Sequence, residues 1–159
     1  MKKYFVHFEI LQGRKTKSGM LVPTNYDFWE PLLSHFIEKC THFRIDCWLD
    51  EATAIARAKI FGKILDTGVD NLKVFTGEIT EEFIFELIHN PFDDEGKIKW
   101  FSIFLIDADR YVFSVEHYGS EFTADCLTEE EVEYIRSIIP EDFNFHVYDK
   151  MENGKGKCL

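Results

Sequence analysis

The chain has 159 residues, of which 45% are hydrophobic, 16% are aromatic and 30% are charged, a composition that excludes a disordered or fibrous protein. Its formal net charge of −11 argues against nucleic acid and anionic membranes as partners, because a surplus of carboxylates repels polyanions. No apolar run approaches the roughly 18 residues of a membrane span. The length of 159 residues favours one domain, which the sequence predicts over 1–150, with a short polar tail over 151–159.

Strands and helices are predicted to alternate in the first half of the chain. Residues 3–11 are rich in aromatic and β-branched types and predict a strand, and 12–23 form an exposed basic loop that ends in a short strand. Asn25 or Asp27 is then expected to cap a helix that runs to about Cys40. The remaining elements are a half-buried strand over 43–49, a helix over 50–66, a strand over 71–76, and a helix that Thr80 caps and Pro91 follows.

The second half is predicted to continue with the acidic loop FDDEG and a meander of three strands. These strands cover 97–106, 111–118 and 121–127. Thr128 and Glu131 have the spacing of a capping box and begin a helix that ends before Pro140, after which a last strand covers 143–149. The irregular order of strands and helices predicts the α+β class, with a mixed, largely antiparallel sheet, a C-terminal three-strand meander and about four helices.

The stretch FSVEHYGSEF, residues 113–122, places carboxylates beside a histidine and raises the question of an active site. Gly119-Ser120 predicts a two-residue hairpin turn of type II′. Because side chains alternate across a strand, Glu116 and His117 then point to opposite faces and cannot work as an acid–base pair. His117 is expected on the core face, opposite Trp100. The other face is predicted to carry Ser114, Glu116, Glu121, Thr123, Asp125, Phe101, Ile103, Leu105 and Val112.

Carboxylates of the same region offer an alternative interpretation as a metal site. Asp107, Asp109 and Glu116 are oxygen ligands of the kind that hard cations bind, which makes a metal-dependent hydrolase built on the 107–125 hairpin region the alternative function. The D-x-D spacing also suits a turn, and no Gly or Glu stands where an EF-hand loop needs it. No pattern typical of a nucleotide-binding loop, a nucleophile elbow or a zincin is present, which favours a non-enzymatic protein without a cofactor.

Cysteine usage predicts a reducing compartment. No secretory signal and no close metal-ligating pair accompanies the cysteines, so free thiols and a cytoplasmic location are expected. Core packing, rather than zinc binding, is the expected role of Cys47, which falls on the apolar face of its predicted strand. The four cysteines expected to be free are Cys40, Cys47, Cys126 and Cys158.

The uneven distribution of charge leads to the main functional prediction. Residues 78–153 hold 20 of the 29 Asp and Glu residues but 5 of the 18 Lys and Arg residues. Such a surface attracts basic proteins, so the sequence predicts an acidic protein-binding module of the inhibitor or immunity type, which occupies a basic surface such as that of a nuclease toxin. The residues expected to contact this partner are Asp93, Asp94, Glu116, Glu121, Glu129, Glu130 and Glu133.

A homo-oligomeric structural module is the third function considered. The strand over 97–106 is apolar on both faces, and in a homodimer a second copy would cover one of them across a two-fold axis. The sequence alone leaves open whether a helix of the same chain or a second copy covers that face.

Overall fold

The computed structural model describes residues 1–150 and Cys158, and it confirms the α+β class. In this part of the chain, four helices accompany one eight-stranded sheet and one two-stranded ribbon. The predicted polar tail, 151–159, lies outside the described residues apart from Cys158. Over the described ranges, no helix is both long enough and apolar enough to cross a bilayer.

The predicted helices and strands occur in the predicted order, together with two short strands that were not predicted, Arg14–Lys15 and Lys63–Leu65. The helices are α1 (Trp29–Ile37), α2 (Ala52–Phe61), α3 (Glu81–His89) and α4 (Glu129–Ile138). The strands are β1 (Lys3–Ile10), β2 (Arg14–Lys15), β3 (Leu21–Val22), β4 (His42–Trp48), β5 (Lys63–Leu65), β6 (Leu72–Glu78), β7 (Ser102–Asp107), β8 (Arg110–Glu116), β9 (Glu121–Leu127) and β10 (Phe143–Lys150). Two helices begin at their predicted caps, because Thr80 accepts a hydrogen bond from the Phe83 amide and Thr128 forms a capping box with Glu131.

The large sheet has the strand order β10-β1-β9-β8-β7-β4-β6-β5, and every pairing between these described strands is antiparallel. The predicted meander is present as β7, β8 and β9. β1 lies between β9 and β10, where Val6 faces Ala124 on one side and Val147 on the other. The N-terminal strand therefore joins the C-terminal strand to the meander.

All four helices pack against one face of this sheet, and the core lies between the two layers. Phe36 of α1 stacks on Phe113 of β8 with 4.5 Å between ring centroids, and Phe83 of α3 stacks on Phe43 of β4 at 4.0 Å. α2 and α4 bury their apolar residues in the same cluster. Burying each of these phenyl rings stabilises the fold by about 1.5–3 kcal/mol. The opposite face of the sheet has no described helix over it.

The second helix is shorter than predicted, because it ends at Phe61 rather than near residue 66. Gly62 lies so close to β6 that a Cβ there would stand 2.9 Å from the Thr76 carbonyl oxygen and 3.2 Å from the Phe43 ring. The chain therefore leaves the helix and forms β5 at the edge of the sheet. Pairing with β6 overrides the weak helical preference of this segment, as tertiary contacts commonly do.

The predicted side-chain cap of α1 is wrong. Phe28 is the N-cap residue, and no side chain caps the helix there. Asn25 Oδ1 accepts a hydrogen bond from the Asp27 amide at 3.1 Å, which closes an Asx turn one step before the helix. The Phe28 ring packs edge-on against Phe122 with 5.7 Å between centroids, so burial of this ring accompanies the start of α1.

The strand predicted over 97–106 begins later, at Ser102, and two of its four apolar residues face the core, whereas Phe104 and Ile106 lie partly buried on the other face. Ile103 and Leu105 are fully buried on the helix side of the sheet. Their predicted position on the opposite face is wrong, because the pairing of β7 with β8 shifts after Leu105 and a shift of one residue exchanges the two faces of a strand. Val112, also predicted on the opposite face, is buried in the core. The chain's own helices therefore cover the apolar side of β7.

Two of the four cysteines form a disulfide, which corrects the prediction of four free thiols. Cys126 and Cys158 are bonded, with 5.5 Å between their Cα atoms. Cys40 and Cys47 are free and buried, as predicted, and burial raises the pKa of each thiol to about 12. The two bonded cysteines are 32 residues apart, and a sequence pattern identifies cysteine pairs by close spacing, so this pair was not predicted. The cytoplasmic location stays a prediction.

Candidate binding site on the open sheet face

The face of the large sheet without helices, called the open face from here on, carries a line of three carboxylates. Glu9 of β1 lies opposite Glu121 of β9, and Glu121 lies opposite Glu116 of β8. These three partly buried residues, the acidic row, therefore stand side by side across three neighbouring strands. Like charges on paired strands destabilise a sheet, so this arrangement needs an explanation beyond folding.

Two histidines contact the central carboxylate of the acidic row. Glu121 Oε1 lies 2.7 Å from His7 Nε2, and Glu121 Oε2 lies 2.6 Å from His117 Nδ1. Burial alone would raise the pKa of Glu121, but the hydrogen bonds with His7 and His117 outweigh burial and hold this pKa below its usual value. Glu121 is therefore ionised at neutral pH, and each of its oxygens has a partner.

Hydroxyl groups lie directly beside the acidic row. Ser114 Oγ donates to Glu116 Oε2 at 3.0 Å and lies 2.6 Å from Thr123 Oγ1. Thr123 faces His7 on the next strand, and the His7 ring stacks on His146 with 6.1 Å between centroids. The polar groups of β8, β9, β1 and β10 thus form a continuous surface.

A basic and aromatic region adjoins this surface on β4 and β7. Arg44 donates to both oxygens of Asp46, at 2.7 Å from Nε and 3.1 Å from Nη2. Arg44 also donates to the Tyr111 hydroxyl at 3.2 Å, and its guanidinium lies 5.3 Å from the Phe104 ring centroid. Because Arg44 neutralises it, Asp46 adds no free negative charge to the open face.

The turn between β8 and β9 differs from the predicted two-residue turn. It covers 117–120, so Glu116 rather than Tyr118 pairs with Glu121. The first three turn residues have positive φ values of 48°, 57° and 78°. At the third of these, Gly119, a Cβ would stand 2.3 Å from a side-chain carbon of Ile98, which explains why glycine is needed there.

This longer turn moves His117 away from the core face, where the sequence had placed it. Its side chain is 59% exposed and meets the Phe101 ring edge-on, with 5.5 Å between centroids. Trp100 is instead fully buried and donates its Nε1–H to the Ala54 carbonyl at 3.1 Å. The carboxylate partner of His117 is Glu121, four residues along the chain, rather than its neighbour in sequence.

The seven carboxylates predicted to contact a partner lie in three separate parts of the structure. Glu116 and Glu121 belong to the acidic row. Asp93 and Asp94 lie in the loop after α3, where backbone amides and a lysine of the loop itself bind Asp93. The other three are exposed on α4, on the helix side of the sheet, namely Glu129, Glu130 and Glu133. A flat partner surface therefore contacts the acidic row or the α4 carboxylates, but not both.

The carboxylates of the alternative metal site do not come together. Asp107 and Asp109 lie at the turn between β7 and β8, where Asp109 has a φ of 62°. Glu116 is the last residue of β8. At a rise of about 3.3 Å per residue, the length of this strand separates Glu116 from the turn by roughly 20 Å. A single ion cannot bind all three residues.

Two residues of the open face were not singled out from the sequence, namely His7 and Glu9. The ligand atoms of His7, Glu9 and Glu121 lie within 4.8 Å of one another, close enough for small side-chain movements to bring all three to one metal ion. Among the described residues, this is the group of three possible metal ligands that the structure brings together. The alternation of residues 3–11 places His7 and Glu9 on one face of a strand. Nothing in the local sequence indicates that this strand pairs with β9.

A separate cleft of about 530 Å³ lies at the N-terminal end of α2, next to a buried ion cluster. Glu86, which is 5% exposed, accepts hydrogen bonds from Arg57 and Lys99, and Lys99 also donates to the Asn90 carbonyl. Burial alone would raise the pKa of Glu86, but these hydrogen bonds outweigh it and keep the pKa below its usual value. Glu86 therefore pairs with two cations, and its ion pair with Arg57 joins α2 to α3.

Comparisons of the chain with protein-family models, with curated proteins and with solved structures find no match. A functional proposal for the open face therefore depends on its own chemistry. Glu9 and Glu116 make no ion pair within the described residues. With Glu121 between them, they form an acceptor surface that attracts cations and basic side chains.

Proposed function

We propose that this chain is an acidic protein-binding module whose open face receives a basic protein surface, as an inhibitor or immunity-type protein does. The observation that supports the proposal is the acidic row, Glu9, Glu121 and Glu116, on a sheet face that no described helix covers. The overall charge of −11 adds long-range attraction toward a basic partner and accelerates its approach.

The energetics of the acidic row favour a bound partner over a purely structural role. Each directly opposed like-charged pair destabilises a sheet, by a few tenths of a kcal/mol to about 1 kcal/mol. The two histidines at Glu121 relieve part of this repulsion, but no cationic side chain of the described residues pairs with Glu9 or Glu116. A lysine or arginine of a partner, placed between them, would convert the repulsion into charge-assisted hydrogen bonds.

Exposed aromatic side chains on the same face supply the apolar contacts that a stable interface requires. Trp48 is 37% exposed, Tyr111 is 49% exposed and Tyr148 is 52% exposed. Their strand positions share the open face with Asp46, Arg44 and His146. Tryptophan and tyrosine are the residues that most often dominate binding energy, so these three are the expected anchors around the charged centre.

The test compares two triple variants that remove equal charge from the two sides of the sheet. One replaces the acidic row by glutamine, Glu9→Gln, Glu116→Gln and Glu121→Gln. The other replaces the α4 carboxylates Glu129, Glu130 and Glu133 in the same way. Proteins captured from the source lysate are identified by mass spectrometry, and the affinity of the main basic protein is then measured with purified components at several salt concentrations.

We expect the acidic-row variant to bind the basic partner roughly tenfold or more weakly, and the α4 variant to bind almost as the unchanged chain does. Affinity should also fall as salt is raised. Equal binding by both variants, loss of binding in the α4 variant alone, or capture of no basic protein at low salt would contradict the proposal. Circular dichroism spectra of the variants verify that each one is folded.

A further inference from the structure

One imidazole and two carboxylates converge on the open face. β1 presents His7 and Glu9 on the same side, because they are two residues apart on one strand. β9 brings Glu121 directly opposite Glu9, and the ligand atoms of the three residues lie within 4.8 Å of one another. The three side chains therefore share one small volume although Glu121 lies more than a hundred residues away in sequence.

We propose that His7, Glu9 and Glu121 form a binding site for a divalent first-row transition metal, with Zn²⁺ as the reference ion. An imidazole nitrogen with two carboxylate oxygens suits Zn²⁺, whereas Mg²⁺ and Ca²⁺ prefer oxygen ligands alone. Three protein ligands leave the fourth tetrahedral position facing the solvent side of the open face. The site requires no partner protein and so goes beyond the proposed function.

The surroundings of the three ligands support metal binding. His117 Nδ1 lies 2.6 Å from Glu121 Oε2 and can hold that oxygen while Oε1 turns to the ion, as outer partners of metal-ligating carboxylates do. Ligands bound to Zn²⁺ at about 2.0–2.1 Å stand about 3.3 Å apart. The present 2.7 Å contact between His7 Nε2 and Glu121 Oε1 therefore needs a small outward movement.

Charge balance leads to the same conclusion. Glu9 and Glu121 oppose each other on paired strands, and Glu9 has no cationic side chain as an ion-pair partner in the described part of the chain. A divalent ion neutralises both carboxylates at once, and His7 Nε2 then binds the ion in place of its present contact with Glu121. The two strands fix the ligands before the ion arrives, which reduces the conformational entropy lost on binding.

Isothermal titration of the purified, chelator-treated chain with Zn²⁺ alone tests this site. We expect one ion per chain, an increase in Tm on binding, and a tetrahedral visible absorption spectrum when Co²⁺ replaces Zn²⁺. His7→Gln and Glu9→Gln should each weaken Zn²⁺ binding by roughly tenfold or more. His89→Gln, at an exposed helix end, is the matched control and should leave binding unchanged.

Glu9→Gln keeps the test decisive even if the His7 variant is unstable, because no hydrogen bond of the Glu9 side chain exists among the described residues to be lost. Zn²⁺ binding that is absent, or that survives both substitutions unchanged, would overturn the proposal. The outcome is independent of the basic partner, because this titration contains no other protein. A site that binds Zn²⁺ while no basic partner is found would leave this proposal standing and contradict the proposed function.

Discussion

At the scale of single residues, the charged centre of the open face is held together by the contacts of Glu121. Glu121 is contacted by His7 from the neighbouring strand and by His117 from its own hairpin turn. The second contact exists because the turn has four residues and turns His117 outward. Gly119 makes that turn compatible with the packing beneath it, since any larger residue would meet Ile98.

Gly119→Ala is therefore expected to lower the free energy of unfolding by about 2–5 kcal/mol, combining the cost of a left-handed backbone with overpacking. Its φ is 78°, and the added Cβ would stand 2.3 Å from Ile98. Gly68→Ala is the matched control, because Gly68 has a φ of 72° but no atom within 4 Å of the added Cβ. Urea denaturation of both variants measures the difference, and equal losses would show that the contact with Ile98 does not matter.

At the scale of elements, α4 shows how a local signal and a tertiary contact act on the same residue. Glu131 accepts a hydrogen bond from the Thr128 amide in the capping box, and it also bonds to Lys39 and His35 near the end of α1. Burial alone would raise the pKa of Glu131, but hydrogen bonds from Lys39 and the Thr128 amide outweigh it and keep the pKa below its usual value.

Glu131→Gln is expected to reduce stability at pH 7 by about 0.5–1 kcal/mol, since glutamine retains the cap but loses the ion pair. The depressed pKa means that the carboxylate stabilises the fold above the unfolded-state value of about 4.3. That contribution is lost as the pH falls through the folded-state pKa, so the unchanged chain and the variant should converge in strong acid. Urea titrations from pH 7 to pH 3 measure this.

The exposed Glu133→Gln variant is the control for this pH dependence, because the Glu133 side chain is 66% exposed. Its stability difference from the unchanged chain should be small at every pH. A difference for Glu131→Gln that stays constant down to pH 3 would show that the ionised form is not what matters.

At the scale of the whole molecule, the N-terminal strand links the C-terminal strand to the rest of the sheet. β1 lies between β9 and β10, and the disulfide between Cys126 and Cys158 adds a covalent link beyond β10. Four helices on one side leave the other side of the sheet open, and that asymmetry creates the face on which both proposals rest. The two buried thiols, Cys40 and Cys47, take no part in this link.

Reduction of the disulfide is expected to lower the free energy of unfolding by about 3–4 kcal/mol, the value typical for a loop of this length. The bond spans 32 residues. A thiol titration of the denatured, unreduced chain should find two free thiols, Cys40 and Cys47.

In a variant with Cys126→Ser and Cys158→Ser, dithiothreitol should cause no further loss of stability. Four free thiols in the oxidised, purified chain would contradict the bond. A chain whose unfolding is unchanged by dithiothreitol would show that the bond does not support the fold.

Local sequence was enough to predict most elements and part of the candidate site. The capping signals of Thr80 and Thr128 act within one helical turn, so both helices begin where the sequence indicated. Glu116 and Glu121 were predicted as partner contacts and lie together on the open face. The predicted turn between them and the predicted register of β7 were wrong, because each depends on packing against residues that are distant in sequence.

The sequence by itself determined the α+β class, the order of the elements and the acidic character of the molecule, because periodicity, capping and charge are properties of neighbouring residues. Only the tertiary structure decided that β1 pairs with β9, which brings His7 and Glu9 to Glu121. It also decided that all four helices share one face and that Cys126 meets Cys158. These contacts join distant parts of the chain, and strand pairing and core packing, rather than any local pattern, select them.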